Sequence, residues 1–164
     1  MRVALVHSRY ADEDLSGENV TVDQQARILE QAGHDVLVEI RRTRQARERP
    51  LYEVAAAWRV ATGRGGSASD RLRAFAPDVV HVHNLFPNFG TAWLATWPGA
   101  VVATLHNFRY LCANALLLRE GQPCFECPTG SSWSAVRHAC YRGSRAATIP
   151  LALSTRRGLA ASPV

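Results

Sequence analysis

The fold follows from two segments, Arg2-Val3-Ala4-Leu5-Val6-His7 and Asp35-Val36-Leu37-Val38-Glu39-Ile40. Both are short, apolar and rich in β-branched residues, as buried strands are. Between them, apolar residues such as Val22 and Ala26 recur at helical spacing, and Gly33 is a natural helix stop. Two buried strands joined by one amphipathic helix predict a parallel βαβ unit with a right-handed crossover.

The start of this helix is predicted from a capping pattern. Thr21-Val22-Asp23-Gln24 matches a capping box, in which Thr21 accepts a hydrogen bond from the backbone N–H of Gln24. Asp23 also places negative charge at the positive end of the helix dipole. We therefore expect a polar loop over residues 8–20 and a helix that begins at Thr21.

Helix and strand signals continue to alternate as far as residue 105. Two helices separated by a Gly-rich break are followed by a third buried strand, another helix and a fourth strand. Their predicted bounds are Leu51–Arg64, Ser69–Ala76, Val79–His83, Phe89–Trp97 and Ala100–Leu105. This alternation, with polar residues at the strand ends, predicts an α/β fold with a Rossmann-like, doubly wound parallel sheet.

The regular alternation ends near Tyr110, and an irregular Cys-rich excursion is predicted over residues 112–140. Within it, residues 116–123 predict a short hairpin that turns at Glu120-Gly121. Beyond it, Ser144–Leu159 predicts a helix that Pro150 either kinks or begins.

The composition indicates one globular domain over residues 1–164. The chain is 47% hydrophobic and 20% charged, and its length suffices for one domain with a core of its own. No stretch reaches the ~20 apolar residues that span a bilayer. The apolar start is too short for a signal peptide, and Asp12, Glu13 and Asp14 follow it. These features predict a cytoplasmic protein.

The formal charge is +5, and all 19 basic residues are arginines. The densest basic run consists of Arg41, Arg42, Arg44, Arg47 and Arg49. A solvated loop or helix face is the favoured interpretation of such a run. The alternative is an anionic partner, either lipid head groups at the inner membrane face or a phosphorylated acceptor.

Polar side chains follow three of the predicted strands. His7 ends the first strand, His83-Asn84 and then Asn88 follow the third, and His106-Asn107 follows the fourth. The carboxyl ends of parallel strands meet at one edge of a sheet, where ligands bind in open α/β folds. We therefore expect these side chains to share the rim of a polar-ligand cleft. Because the sequence has no G-x-G-x-x-G motif, no redox cofactor is predicted there.

These segments, in this order, resemble the N-terminal domain of retaining GT-B glycosyltransferases of family 4. The resemblance covers nearly the whole chain and is carried by the first strand, by Ser16-Gly17-Glu18-Asn19, and by residues 77–84 and 104–109. The stretch Cys112–Arg145 is similar to a cysteine-bearing subgroup of that family. The resemblance implies a hexosyltransferase-type enzyme of carbohydrate biosynthesis. A C-terminal nucleotide-sugar domain, absent from this chain, would complete the site, so the isolated acceptor-side domain is expected to be inactive.

The resemblance also implies roles for residues of this sequence. His106 would contact the transferred sugar as the catalytic residue. The residues implied for the nucleotide-sugar donor are Gly17, Glu18 and Asn107. The residues implied for the acceptor, which could be a sugar, a lipid-linked molecule or a small molecule, are His83, Asn84, Asn88 and Arg109.

Cys112, Cys124, Cys127 and Cys140 form a C-x₁₁-C-x₂-C-x₁₂-C pattern. A C-x₂-C pair near two further cysteines suits tetrahedral Zn²⁺, and lasting disulfides are rare in the cytoplasm. We expect a structural zinc ion, because four thiolates leave no position for a reactive water; His138 could replace one ligand. Four reduced structural thiols are the alternative.

Two other classes of function are compatible with the sequence. The cysteines and the arginine content also suit a zinc-containing nucleic-acid-binding module. Its basic residues are dispersed, however, and its aromatic residues are not interleaved with them, so no nucleic-acid partner is expected. The other class is a non-catalytic binding domain of the same fold.

Overall fold

A computed structural model describes residues 1–11 and 16–161, and the chain divides into two compact units. The sheet unit comprises Met1–Arg59 and Arg64–His106, and the cysteine unit comprises Val60–Gly63 and Asn107–Val164. The loop predicted over residues 8–20 is shorter than expected, because the first strand continues to Arg9 and the first helix begins at Gly17. Residues 12–15 of this loop lie outside the described residues. In the part of the chain that the structure describes, no helix has the length and apolar character needed to cross a bilayer.

The sheet unit contains a four-stranded parallel sheet with the strand order β2-β1-β3-β4. The strands are β1 (Arg2–Arg9), β2 (Asp35–Arg42), β3 (Val79–Val82) and β4 (Ala100–Ala103). The helices of the described residues before β4 are α1 (Gly17–Gln31), α2 (Thr43–Ala46), α3 (Tyr52–Thr62) and α4 (Ser69–Phe75), with a 3₁₀ helix at Ala92–Thr96. The predicted Rossmann-like α/β fold is confirmed.

The two faces of β1 are both buried, because apolar residues alternate along it. Val3 and Leu5 pack with Val22 of α1 on one face. On the other face, Ala4 and Val6 belong to a second cluster that includes Leu72 of α4, which is fully buried. Burial of one leucine side chain of this kind contributes about 1.5–3 kcal/mol of transfer free energy. Helices on both faces make the sheet doubly wound.

Helix α1 begins one turn earlier than the capping pattern predicts, so the capping-box prediction is wrong. Ser16 is the N-cap residue, and its side chain accepts a hydrogen bond from the backbone N–H of Asn19 at 3.2 Å. The hydroxyl of Thr21 instead donates to the carbonyl of Gly17 inside the helix. Serine and threonine cap helices with similar strength, so the packed helix rather than the cap preference selects the earlier start. The predicted stop is confirmed, since Gly33 has a φ of +81° beyond the last turn.

The segment before the fourth strand is less helical than predicted. The sequence predicts a helix over Phe89–Trp97, but only the five-residue 3₁₀ helix forms there. Strand β4 is shorter than predicted and lies at the edge of the sheet, where Val101 and Val102 are exposed. The helices predicted over Leu51–Arg64 and Ser69–Ala76 are confirmed as α3 and α4.

The cysteine unit is built from short elements. Its hairpin pairs β5 (Leu118–Arg119) with β6 (Gln122–Pro123), and its helices are α5 (Glu126–Thr129), α6 (Trp133–Arg137) and α7 (Arg145–Ala161). The hairpin turns at Glu120 and Gly121 as predicted, because both residues have positive φ angles, of 52° and 77°. Helix α7 begins at Arg145 and continues through Pro150.

Candidate functional site

Four histidines gather at the carboxyl ends of the strands in the sheet unit. His7 lies within β1, His81 within β3, His83 directly after β3, and His106 after β4. Nδ1 of His83 lies 2.9 Å from Nε2 of His106, and their rings stack with centroids 5.2 Å apart. The ring of His81 also stacks against the ring of His83, and their centroids are 4.3 Å apart. The predicted meeting of polar residues from different strands is therefore present.

His83 is the most deeply buried member of the histidine pair, and it is uncharged at neutral pH. Burial, followed by the neighbouring rings of His81, His106 and His7, lowers the pKa of His83 to about 3. Its Nε2 atom is buried and has no hydrogen-bond partner among the described residues. A proton on Nε2 of His83 would be a buried N–H without a partner, which is costly. The proton is therefore on Nδ1, which donates to Nε2 of His106. The neutral tautomer of His106 then carries its proton on Nδ1.

The first turn of α1 is tied to the same edge of the sheet. Nε2 of His7 lies 2.8 Å from Oδ1 of Asn19, and Nδ2 of Asn84 donates to Oε2 of Glu18 at 2.8 Å. Burial lowers the pKa of His7, so this imidazole is neutral and donates to the amide oxygen. These bonds bring Glu18 and Asn84, two residues with expected site roles, into direct contact. Asn19 and His81 were not among the predicted site residues, because only the fold reveals their partners.

Gly17 is the first residue of α1, and the space beside it is open. A Cβ atom at this position would meet no atom within 4 Å among the described residues. Packing therefore does not require glycine there. The N-terminus of a helix with open space beside it suits an anion. The expected donor role of Gly17 stays a prediction.

Asn88 is buried, and its side-chain amide links three elements of the sheet unit. Nδ2 donates to the hydroxyls of Ser8 at 2.7 Å and Thr43 at 2.9 Å. Oδ1 accepts a hydrogen bond from the hydroxyl of Tyr52 at 2.8 Å. The amide thus positions the segment after His83, and its expected contact with an acceptor stays a prediction.

Asn107 and Arg109 belong to the cysteine unit. Oδ1 of Asn107 accepts from the backbone N–H of Arg109 at 3.0 Å, and the guanidinium of Arg109 donates to the carbonyl of Ala113 at 2.6 Å. These bonds shape the turn that follows His106 in the chain. The expected donor role of Asn107 and acceptor role of Arg109 stay predictions.

All four cysteines line one small cavity, of about 10 Å³, in the cysteine unit. None of them forms a disulfide, and the pKa of Cys127 is raised to about 11 by burial and by the neighbouring thiols. Four thiols around one cavity are a suitable donor set for zinc. In the part of the chain that the structure describes, however, no group of three or more His, Cys, Asp or Glu side chains is arranged to hold a metal ion. The zinc site stays a prediction.

His138, the alternative zinc ligand, is engaged in an ionic network beside this cavity. Its Nε2 atom lies 3.2 Å from Oε2 of Glu126. The same carboxylate pairs with Arg119 through Oε1 at 2.9 Å and with Arg137 through Oε2 at 3.1 Å. The hydrogen bond from His138 is the largest cause of the lowered pKa of Glu126. These residues connect the hairpin, α5 and the end of α6.

The family model described as Glycosyltransferase Family 4 matches residues 15–142, which is more than half of the chain. No curated protein and no solved structure matches the chain. The matched range contains Glu18, His83, Asn84 and His106, whereas His7 lies before it.

Proposed function

The chain belongs to glycosyltransferase family 4, and from this premise we propose that it is the acceptor-side half of a sugar-transferring enzyme. The proposed reaction moves a hexose from a nucleotide-sugar donor to an acceptor with retention of configuration. The observation that carries the proposal is the hydrogen-bonded His83–His106 pair at the carboxyl edge of the sheet. Ligands of open α/β folds bind at this edge.

We propose that His106 contacts the transferred sugar. Nε2 of His106 accepts a hydrogen bond from His83, so its Nδ1–H, which has no partner among the described residues, would donate to a sugar hydroxyl. An N–H donor of fixed orientation holds the sugar in position for reaction, so this ordering is not required at the moment of transfer. His83, which the resemblance assigns to the acceptor, is in this proposal a positioning residue, because its Nδ1–H selects the tautomer of His106.

The donor side of the proposed site is the start of α1. Its backbone N–H groups and positive dipole end suit the diphosphate of a nucleotide sugar. Glu18, held by Asn84, lies in this first turn. A C-terminal nucleotide-sugar domain would supply the rest of the donor site, so the 164-residue chain alone should bind donor weakly and turn over negligibly. We place the enzyme in the cytoplasm, with peripheral contact to the inner membrane face if its acceptor is lipid-linked.

The test is sugar transfer by the product of the complete reading frame, with a panel of nucleotide sugars and acceptors. His106→Ala should reduce turnover by about 10²–10⁴-fold while the circular dichroism spectrum stays unchanged. His34→Ala is the matched control, because His34 precedes β2 and so lies at the amino ends of the strands, away from the histidine pair. Wild-type turnover of the His106 variant would remove its catalytic role. Absence of transfer or nucleotide release with every donor would end the proposal as a whole.

A further inference from the structure

An arginine-lined cavity of about 630 Å³ opens at the carboxyl end of β2 in the sheet unit. Arg41 and Arg42 end β2, Arg49 follows α2, and Arg59 lies on α3. Among the described residues that line this cavity there is no aspartate or glutamate. The basic run of the sequence is thus not only a solvated face, because three of the lining arginines come from it and Arg59 joins them from a different element.

Backbone carbonyls hold the two more buried arginines at the cavity. Arg41 donates from Nη2 to Ser67 O at 2.8 Å and from Nη1 to Asn88 O at 3.2 Å. The guanidinium carbon of Arg41 also lies 4.4 Å from the centroid of the Phe89 ring. Arg59 donates from Nη1 to Pro87 O at 3.0 Å. Because the acceptors are uncharged carbonyl oxygens, they orient both guanidinium groups without neutralising their positive charge.

The charge of these two arginines is uncompensated in the described part of the chain. Neither forms an ion pair with a described carboxylate, and Glu39, the acid that acts on Arg41, pairs with Arg71. Nε of Arg59 is buried without a hydrogen-bond partner among the described residues. Burial lowers the pKa of both guanidinium groups, which shows that their surroundings disfavour charge. Arg41 and Arg59 are half-buried, and a partly desolvated cation without a counter-charge is stabilised when an anion binds beside it.

We propose that this cavity binds a phosphate or diphosphate group carried by the acceptor. Planar guanidinium groups bind such oxyanions through two parallel hydrogen bonds each, and several converging arginines favour a multiply charged group over a single carboxylate. The cavity volume leaves space for a sugar-sized group beside the phosphate. This inference rests on the proposed function and specifies the chemical class of its acceptor.

One short segment of the chain, residues 83–88, connects the histidine pair to the cavity. Pro87 and Asn88, whose carbonyls hold Arg59 and Arg41, follow His83 closely in the chain. The side chain of Asn88 also donates to Ser8, which neighbours His7 in β1. An acceptor anchored by its phosphate in the cavity therefore lies at the same edge of the sheet as His106.

The experiment measures binding of inorganic pyrophosphate to the 164-residue chain by calorimetry at low salt. Arg59→Gln should weaken binding by about 10- to 100-fold, since a charged hydrogen-bonding group is lost. Arg49→Gln should weaken it by a smaller factor, of about three- to tenfold. Arg49 is exposed, so its replacement should leave the fold unchanged even if Arg59→Gln disturbs it. Arg73→Gln, an exposed change of equal charge on α4, is the matched control and should leave binding within about twofold.

Vesicles of phosphatidylcholine with and without phosphatidylglycerol distinguish the source of the phosphate. Pyrophosphate binding that depends on Arg59 supports a soluble phosphorylated acceptor, and co-sedimentation only with the anionic vesicles, again dependent on Arg59, supports a lipid-linked one. Equal effects of the Arg59 and Arg73 variants, or binding of neither probe, overturn the proposal. Because these measurements need no donor, they separate the two proposals: anion binding can stand while sugar transfer fails, and transfer can stand while the arginine variants behave as wild type.

Discussion

Lowering the pH from 7 to 5 should destabilise the sheet unit by about 2 kcal/mol through His83 alone. The pKa of His83 is lowered from 6.5 to about 3 by burial and by the neighbouring imidazoles. Below about pH 6.5 the unfolded chain therefore binds a proton that the folded chain does not. A lowered pKa in the folded state means that stability is complete above the unfolded pKa and is lost as the pH falls toward 3.

The magnitude follows from the distance between the assay pH and the unfolded pKa. At pH 5 the unfolded imidazole is about 1.5 pH units below its pKa, and each unit corresponds to about 1.4 kcal/mol. The folded imidazole is still neutral there, so nearly the whole difference of about 2 kcal/mol appears in the free energy of unfolding. Burial also lowers the pKa values of His7 and His81, which adds further loss to the wild-type chain.

Urea denaturation at pH 7, 6 and 5, followed by circular dichroism, measures this loss. His83→Asn is the matched variant, since its amide nitrogen can still donate to His106 but does not titrate. The variant should lose about 2 kcal/mol less than the wild type between pH 7 and pH 5. Equal losses in the two proteins would show that His83 is not the source of this pH dependence. So would an NMR titration in which the His83 ring protonates near its ordinary pKa.

Two further predictions concern the core and the cysteines. Leu72→Ala should lower the free energy of unfolding by about 2–5 kcal/mol, because Leu72 is fully buried between α4 and the sheet. Val54→Ala, at a position that is 66% exposed, should change it by less than about 0.5 kcal/mol in the same urea series; similar costs for both would contradict the assigned core. Elemental analysis of the purified chain should find about one zinc per molecule, and Cys127→Ser should abolish it together with part of the thermal stability. A wild-type chain without zinc, or a variant with undiminished zinc, would leave four reduced thiols as the correct interpretation.

Local patterns were sufficient for the elements of the sheet and for the family. A strand or helix with a buried face repeats its apolar residues at a fixed spacing, and this spacing can be read along the chain. For this reason β1, α1 and β2 were predictable. The start of α1 was not, because Ser16 and Thr21 offer competing caps of similar strength and only the packed helix selects between them. Strand β4 shows the same limit, since its apolar sequence predicts a strand but not that it lies exposed at the sheet edge.

The order of residues along the chain is enough to predict an α/β domain with histidines and asparagines after its strands. The contacts between those side chains become known only from the folded structure. The proton on His83, the bond between His7 and Asn19, and the meeting of Arg59 with the basic run all depend on distances between residues far apart in the chain. Such distances follow from strand order and loop path, which no local pattern encodes.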